Sequence, residues 1–255
     1  MKSGRKIHLE GIIVYSMNYA ESHKIFRIFT PDHGIVPAMA YGARKMKSKF
    51  RGKLETLNWV EGSFSIGKNS FYILEEVEIK VVFTSGLSYE VIWKIFPFLK
   101  FINLSFFEKK EENIKIFQMF AVFLKQLDKD TDEKKMNLLI YSFVIKYLII
   151  HSIVKNPKYC SLCGEENQSG IAWNIKNGMT VCKKCAVPES IYRFFDQNLK
   201  EFLIKIIYSK FEEIIYLIVK DDELEFLRET VDFLLFHHLN KKWEDFEINE
   251  NPFNS

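Results

Sequence analysis

The sequence predicts an α+β protein of more than one domain: a small, closed or nearly closed β-barrel, then a helical domain interrupted by a cysteine-bearing insertion. Three observations predict it. Residues 7–80 alternate apolar and polar side chains in short runs broken by turn residues, and beyond about residue 84 the period lengthens to 3.6. All four cysteines fall within 26 residues, as two close pairs. A chain of 255 residues, 47% hydrophobic and 27% charged, is long enough for a sizeable core and has the composition of a folded globular protein. Its 24 phenylalanines predict an interior dominated by aromatic packing.

The barrel strands follow in order. Ile12–Tyr15 is a β-rich run, and Lys24–Thr30 alternates Ile25, Arg27 and Phe29 against Lys24, Phe26 and Ile28. Thr30-Pro31-Asp32-His33-Gly34 is a turn: proline sets φ, aspartate closes an Asx-turn and glycine supplies a positive φ. Ile35–Tyr41 is the next strand and ends at Gly42. Trp59–Ile66 and Phe71–Val77 form a hairpin about Gly67-Lys68-Asn69-Ser70. Five short strands in about 75 residues suit a small barrel.

Helical faces come next. Ile114, Phe117, Phe120, Ala121, Leu124 and Leu127 share one; Leu138, Tyr141, Ile145, Leu148 and Ser152 share another. Phe202, Ile206, Phe211–Ile215 and Ile218 read as a third, and Leu224, Leu227, Val231, Leu234, Leu235 and Leu239 as a fourth. Lys125–Lys135 is a charged, solvated connector. Met136–Val154 is apolar but carries Lys146 near its middle, where an ammonium in a bilayer costs about 2.5–3.5 kcal/mol. A buried helix of a soluble protein is the expectation. Met1–Glu10 lacks the apolar run of a secretory signal, so a reducing, cytoplasmic setting is expected.

Cys160-Ser161-Leu162-Cys163 and Cys182-Lys183-Lys184-Cys185 stand eighteen residues apart. Two CxxC knuckles at that distance bring four thiolates around one tetrahedral Zn²⁺. Free thiols and a redox pair are the alternatives, but a redox CxxC belongs at a strand-to-helix junction of a βαβ unit. Four protein ligands leave no open position, so the zinc, one per chain, is expected to be structural. Gly164 follows the first knuckle, and Gly178 turns a hairpin between Ile171–Ile175 and Met179–Val181.

Formal net charge is only +3, but residues 1–80 hold 13 basic against 8 acidic side chains. Arg44, Lys45, Lys47, Lys49, Arg51 and Lys53 place six cations in ten residues without a carboxylate. The run reads as a solvated loop or as a groove that tracks a nucleic-acid backbone, with Phe50, Tyr41 and Tyr19 as core residues or stacking platforms. No phosphate-binding loop, HExxH, GxSxG or GxGxxG motif is present, and His8, His23, His33, His151, His237 and His238 are scattered. No enzyme is expected.

Together, Tyr19-Ala20-Glu21-Ser22-His23-Lys24, Phe29-Thr30-Pro31-Asp32-His33-Gly34 and Ala40–Ser48 resemble the N-terminal signature of the RecO family of bacterial recombination mediators. Asn156–Gly164, after a long apolar helix, resembles the same family, and the likeness covers most of residues 8–190. The resemblance implies an OB-fold over 1–80 and a helical domain over 81–242 with a zinc-binding insertion at about 156–190; the residues that follow, 243–255, read as an acidic tail. It also implies a non-enzymatic role in DNA repair and recombination. That role comprises binding single- and double-stranded DNA, annealing complementary strands, and working with RecR to load RecA onto strands coated by single-stranded-DNA-binding protein, whose C-terminal tail is a further partner. DNA contact carries over to Arg44, Lys45, Lys47, Lys49, Arg51 and Lys53, and metal ligation to Cys160, Cys163, Cys182 and Cys185. Two departures stand out: Met17 or Asn18 replaces a common arginine, and Gly178 stands alone where relatives have a glycine pair. The competing expectation is a zinc-stabilised protein–protein scaffold that does not bind DNA. A nuclease would need a carboxylate cluster in the barrel.

Overall fold

The computed structural model describes residues 6–67, 71–104, 110–151, 155–167, 170–174 and 176–246. They divide into two compact units, 1–130 and 131–255. The first is built on β1 (Lys6–Tyr19), β2 (His23–Thr30), β3 (Gly34–Ala40), β4 (Asn58–Ile66) and β5 (Tyr72–Val82). They close into a barrel in the order β1-β2-β3-β5-β4, with β3 and β5 parallel and the other pairs antiparallel. This is the OB-fold. β1 starts earlier and β5 runs further than the β-rich segments suggest, because β1 pairs with β4 from Lys6 and with β2 as far as Tyr19. The tip of the β4–β5 turn, 68–70, lies outside the described residues.

Alternation sorts the side chains. Phe26, Ile28, Val36, Ala38, Ala40, Val60, Phe64, Leu74 and Val77 fill the barrel, with Leu9 and Ile13 from β1. The turn after β2 forms around Gly34 at φ 64°, as expected, but the Thr30 hydroxyl holds it, accepting from the His33 N–H at 3.0 Å. Two glycines are fixed by close approach. A Cβ on Gly11 would stand 2.3 Å from the Phe29 carbonyl oxygen, and one on Gly62 2.3 Å from that of Glu76. Gly62→Ala should therefore push β4 from β5 and cost about 1–3 kcal/mol or more, read as a lowered denaturation midpoint.

The change of period near residue 84 is not where the compact units divide. α1 (Tyr89–Leu104) and α2 (Lys110–Lys125) belong with the barrel. The outward face of β2 and β4 explains why: Phe29 meets Phe117 at 5.5 Å and Phe120 at 6.0 Å, and Trp59 meets Phe117 at 5.4 Å. Asn103 of α1 donates to the Val14 carbonyl at 3.0 Å. Phenylalanines thus fill both the barrel and its helical cover.

The second unit centres on α3 (Glu133–Ile150), capped by the Asp132 carboxylate, which accepts from the Lys135 N–H. Around it stand α4 (Gln197–Tyr208), α5 (Phe211–Ile214) and α6 (Asp221–Leu239). Ser152 and Val154, at the end of the apolar stretch of α3, lie outside the described residues. The periodic face expected to continue from Phe202 to Ile218 is broken instead. Ser209 and Lys210 are extended, Glu213 accepts from the Lys210 N–H to start α5, and Ile218, past the end of that helix, is 99% exposed. The acidic tail is partly folded: Trp243 and Phe246 are buried, and the Trp243 N–H donates to Asp232. Residues 247–255 lie outside the described residues.

Lys146 spends its charge on that break. Its ammonium donates to the Ile207 and Ser209 carbonyls at 2.6 and 2.8 Å, where α4 ends. Burial lowers its pKa to about 8, against the opposing pull of Glu213. Between about pH 8 and 10.5 the unfolded chain therefore binds more protons than the folded one, so this lysine makes stability rise with pH across that window. The rise should disappear in Lys146→Met when urea midpoints of the two proteins are compared. No helix among the described residues is long and apolar enough to cross a membrane.

Candidate metal centre and nucleic-acid interface

The cysteine segment has little regular structure of its own: β6 (Ile171–Asn174), β7 (Thr180–Val181) and β8 (Tyr192–Phe195) form a small sheet in the order β7-β6-β8. Two knuckles sit at its edge. Gly164, at φ 77°, lets its N–H return to the Cys160 carbonyl at 2.9 Å, while the Ser161 N–H reaches the Thr180 carbonyl at 2.9 Å. Residues Lys183–Cys185 form a single 3₁₀ turn, with the Cys185 N–H on the Cys182 carbonyl at 3.0 Å. Gly178 turns the hairpin at φ 71°, as expected; Ile175 lies outside the described residues.

The result is convergence. Sulfurs of Cys160, Cys163, Cys182 and Cys185 all lie within 4.8 Å of one another, and those of Cys163 and Cys182 are 4.0 Å apart. None is in a disulfide, and a disulfide would need about 2.05 Å. Burial works against ionisation of Cys160, yet backbone N–H groups of Cys163, Cys182 and Leu162 lower its thiol to about 6. Cys185 is pushed up to about 12, first by its hydrogen bond with Cys182 and then by burial. Four soft donors at this separation fit one tetrahedral metal ion, with all positions filled by protein.

The insertion is fastened from beneath. Lys200 of α4, 4% exposed, donates to the Asn167 carbonyl, and the Asn167 amide donates to Pro157 at 2.9 Å. Gln197 accepts from the Gly170 N–H at 3.0 Å. The sequence offers no sign of these anchors, because a helical lysine ordinarily reads as surface.

The basic run is not a solvated coil. Between β3 and β4 it winds through consecutive tight turns, Lys45 to Gly42, Ser48 to Lys45, Arg51 to Ser48 and Lys53 to Phe50. Ala43, Phe50 and Leu54 plug the barrel between the cations, so Phe50, 7% exposed, is core and not a stacking platform. Tyr41 and Tyr19 are exposed at 53% and 46%. Anchors hold the loop to the β1–β2 turn: Arg44 N–H to the Ser22 carbonyl, the Arg44 guanidinium to the Ala20 carbonyl, and the Gly42 N–H to His23 Nδ1, each at 3.0 Å.

Arg44, Lys45, Lys47, Lys49 and Arg51 are exposed along this ordered edge. Lys53 differs. Its ammonium turns back to the Val77 carbonyl at 2.9 Å and Glu78 at 3.3 Å, and so ties the loop to β5. Beside the loop opens a groove of about 560 Å³, with Ala43, Met46 and Phe50 in its wall and Lys24, Arg44 and Arg51 among its charges. Glu55 also lines it, paired to Lys24 at 2.8 Å.

The barrel is also where comparison with known proteins is most direct: the family model described as Recombination protein O N terminal matches residues 1–83. The DNA repair protein RecO of Caldanaerobacter subterraneus is 25% identical over 214 residues, 82% of this chain and 83% of that protein. The chain is thus similar to RecO proteins along most of its length, and its barrel matches their N-terminal domain. RecO proteins of Thermodesulfovibrio yellowstonii (28% identical, 69% of each chain) and Listeria monocytogenes (21%, 88% of this chain and 86% of that one) are similar as well. In these RecO relatives the alignment extends far beyond the barrel. The asparaginyl-tRNA synthetase of Pyrococcus horikoshii complexed with asparaginyl-adenylate aligns over 80% of this chain and 42% of its own at 14% identity. Its TM-score of 0.27 carries no weight for the fold.

Proposed function

We propose that this protein is a non-enzymatic mediator of DNA repair and recombination that binds single- and double-stranded DNA through the 44–51 edge of its OB-fold. The observation that carries the reading is the ordered presentation of Arg44, Lys45, Lys47, Lys49 and Arg51, pinned to the barrel by Phe50, Leu54 and the Lys53 contacts. Fixed cations along one edge recognise a phosphate backbone without reading bases. Similarity to DNA repair proteins RecO supports the same role. In this reading the protein works in the cytoplasm, anneals strands by neutralising two backbones at once, and acts with RecR and the tail of single-stranded-DNA-binding protein to load RecA.

The four cysteines hold one structural Zn²⁺ in this reading. It supplies no reaction; it folds the insertion between α3 and α4, whose own hydrophobic cluster is limited to residues such as Ala172, Val181 and Ala186 beside Cys160. A gel shift with single- and double-stranded oligonucleotides at two salt concentrations tests the DNA reading. A protein–protein scaffold would bind neither at either concentration.

A further inference from the structure

The barrel carries a second surface that the cationic loop does not use. Residues 15, 17 and 19 of β1 lie opposite Arg27, Ile25 and His23 of β2, and so share one outward face with them. Tyr15, Met17 and Tyr19 are 42%, 42% and 46% exposed, although an outward face open to water ordinarily takes polar residues. Contacts and strand pairing link its members. The Tyr15 hydroxyl donates to Met17 Sδ at 3.0 Å, Tyr19 is paired with His23, and the His23 ring meets Tyr41 edge-on at 5.1 Å. Tyr41 leads into the loop, and Arg44 is tied to Ala20 and Ser22 at the same end. Arg27 lies over the Tyr15 ring, 5.8 Å from its centroid.

We infer that the stripe Tyr15–Met17–Tyr19–Tyr41 is a base-stacking track for a single strand, and that it sets the preference of this protein for single-stranded over duplex DNA. The inference rests on the DNA reading above and deepens it. Aromatic faces stack on any unpaired base regardless of sequence, whereas in a duplex the base faces are already stacked on one another. Phosphates of a strand on this track would meet Arg27 at one end and Arg44 with the cationic loop at the other. Charge thus favours nucleic acid over an acid-avoiding apolar partner. Glu21, exposed at the β1–β2 turn, and Glu55, held by Lys24, are the carboxylates nearest that end in sequence and contact.

The test uses the full chain and its Tyr15→Leu/Tyr19→Leu/Tyr41→Leu variant, which keeps apolar cover and loses the π faces; Tyr41→Leu alone serves if the triple variant does not fold. Affinities for oligo(dT) and for a duplex of equal length are measured at two salt concentrations. A 5-iododeoxyuridine oligonucleotide is photocrosslinked to the wild type and mapped. The expected result is a loss of about five- to a hundredfold per ring on oligo(dT), an unaltered salt slope, a duplex affinity within about twofold, and crosslinks at these tyrosines. Equal losses on both DNAs, crosslinks elsewhere, or intact oligo(dT) binding with loss of a protein partner would overturn the inference and leave the DNA reading standing. A wild type that binds neither DNA would remove both.

Discussion

Cys163→Ser should lose its metal and melt the insertion between α3 and α4, while the OB-fold stays folded. The substitution is close to isosteric at an exposed position, so little packing is lost with it. What goes is one of four sulfurs that lie within 4.8 Å of one another. Comparable zinc sites contribute about 10–16 kcal/mol of binding free energy that is inseparable from folding, far more than a loop-rich segment of this size holds in its core. Elemental analysis should find one zinc per wild-type chain and well under one in the variant. Limited proteolysis should cut the variant within about residues 156–190 first. Four titratable thiols in the native wild type, without zinc, would reject the site. Damage to DNA binding should be indirect and small, because the proposed interface lies in the barrel.

Replacing Arg44, Lys45, Lys47 and Lys49 with Ala should weaken binding to every DNA sequence alike. Each phosphate neutralised on a single strand contributes about −0.7 to the slope of log affinity against log salt, so the slope should flatten by about 2–3 units. Folding should change little: the Arg44 guanidinium bond to Ala20 is lost, but the Arg44 N–H bond to Ser22, the Ala43, Phe50 and Leu54 plug and the Lys53 tie all remain. Lys53→Ala should behave differently. It releases the tie to Val77 and Glu78, and should loosen the whole edge without itself removing a phosphate contact. Annealing should fall in step with binding in the fourfold variant. An unchanged salt slope, with the fold intact by circular dichroism, would place the DNA elsewhere.

Much of this was legible in order along the chain. Period two across Lys24–Thr30 and Trp59–Ile66 revealed strands because one face of each is buried, and the CxxC spacing picked out the four cysteines whose sulfurs converge, because a tetrahedron of thiolates tolerates few arrangements. The break after α4 was not legible. Phe202 to Ile218 keeps a helical period through Ser209 and Lys210, and the carbonyls freed there are taken up by Lys146, sixty residues upstream. Trp243 and Phe246 likewise read as part of an acidic tail, since their burial depends on Asp232 and Tyr141, which are distant in sequence.

By itself the sequence determined the barrel strands, the helical faces of α2, α3 and α6, the four-cysteine set, and the density of positive charge between β3 and β4. Those are local properties of spacing and side-chain type. Only the tertiary structure decided that α1 and α2 belong with the barrel, that Phe50 is a plug and Lys53 a tie, and that Tyr15, Tyr19 and Tyr41 stand in one exposed row. The physical reason is that charge and periodicity are written in neighbouring residues. Whether a ring is buried or presented depends on strand register and on what the rest of the chain places over it.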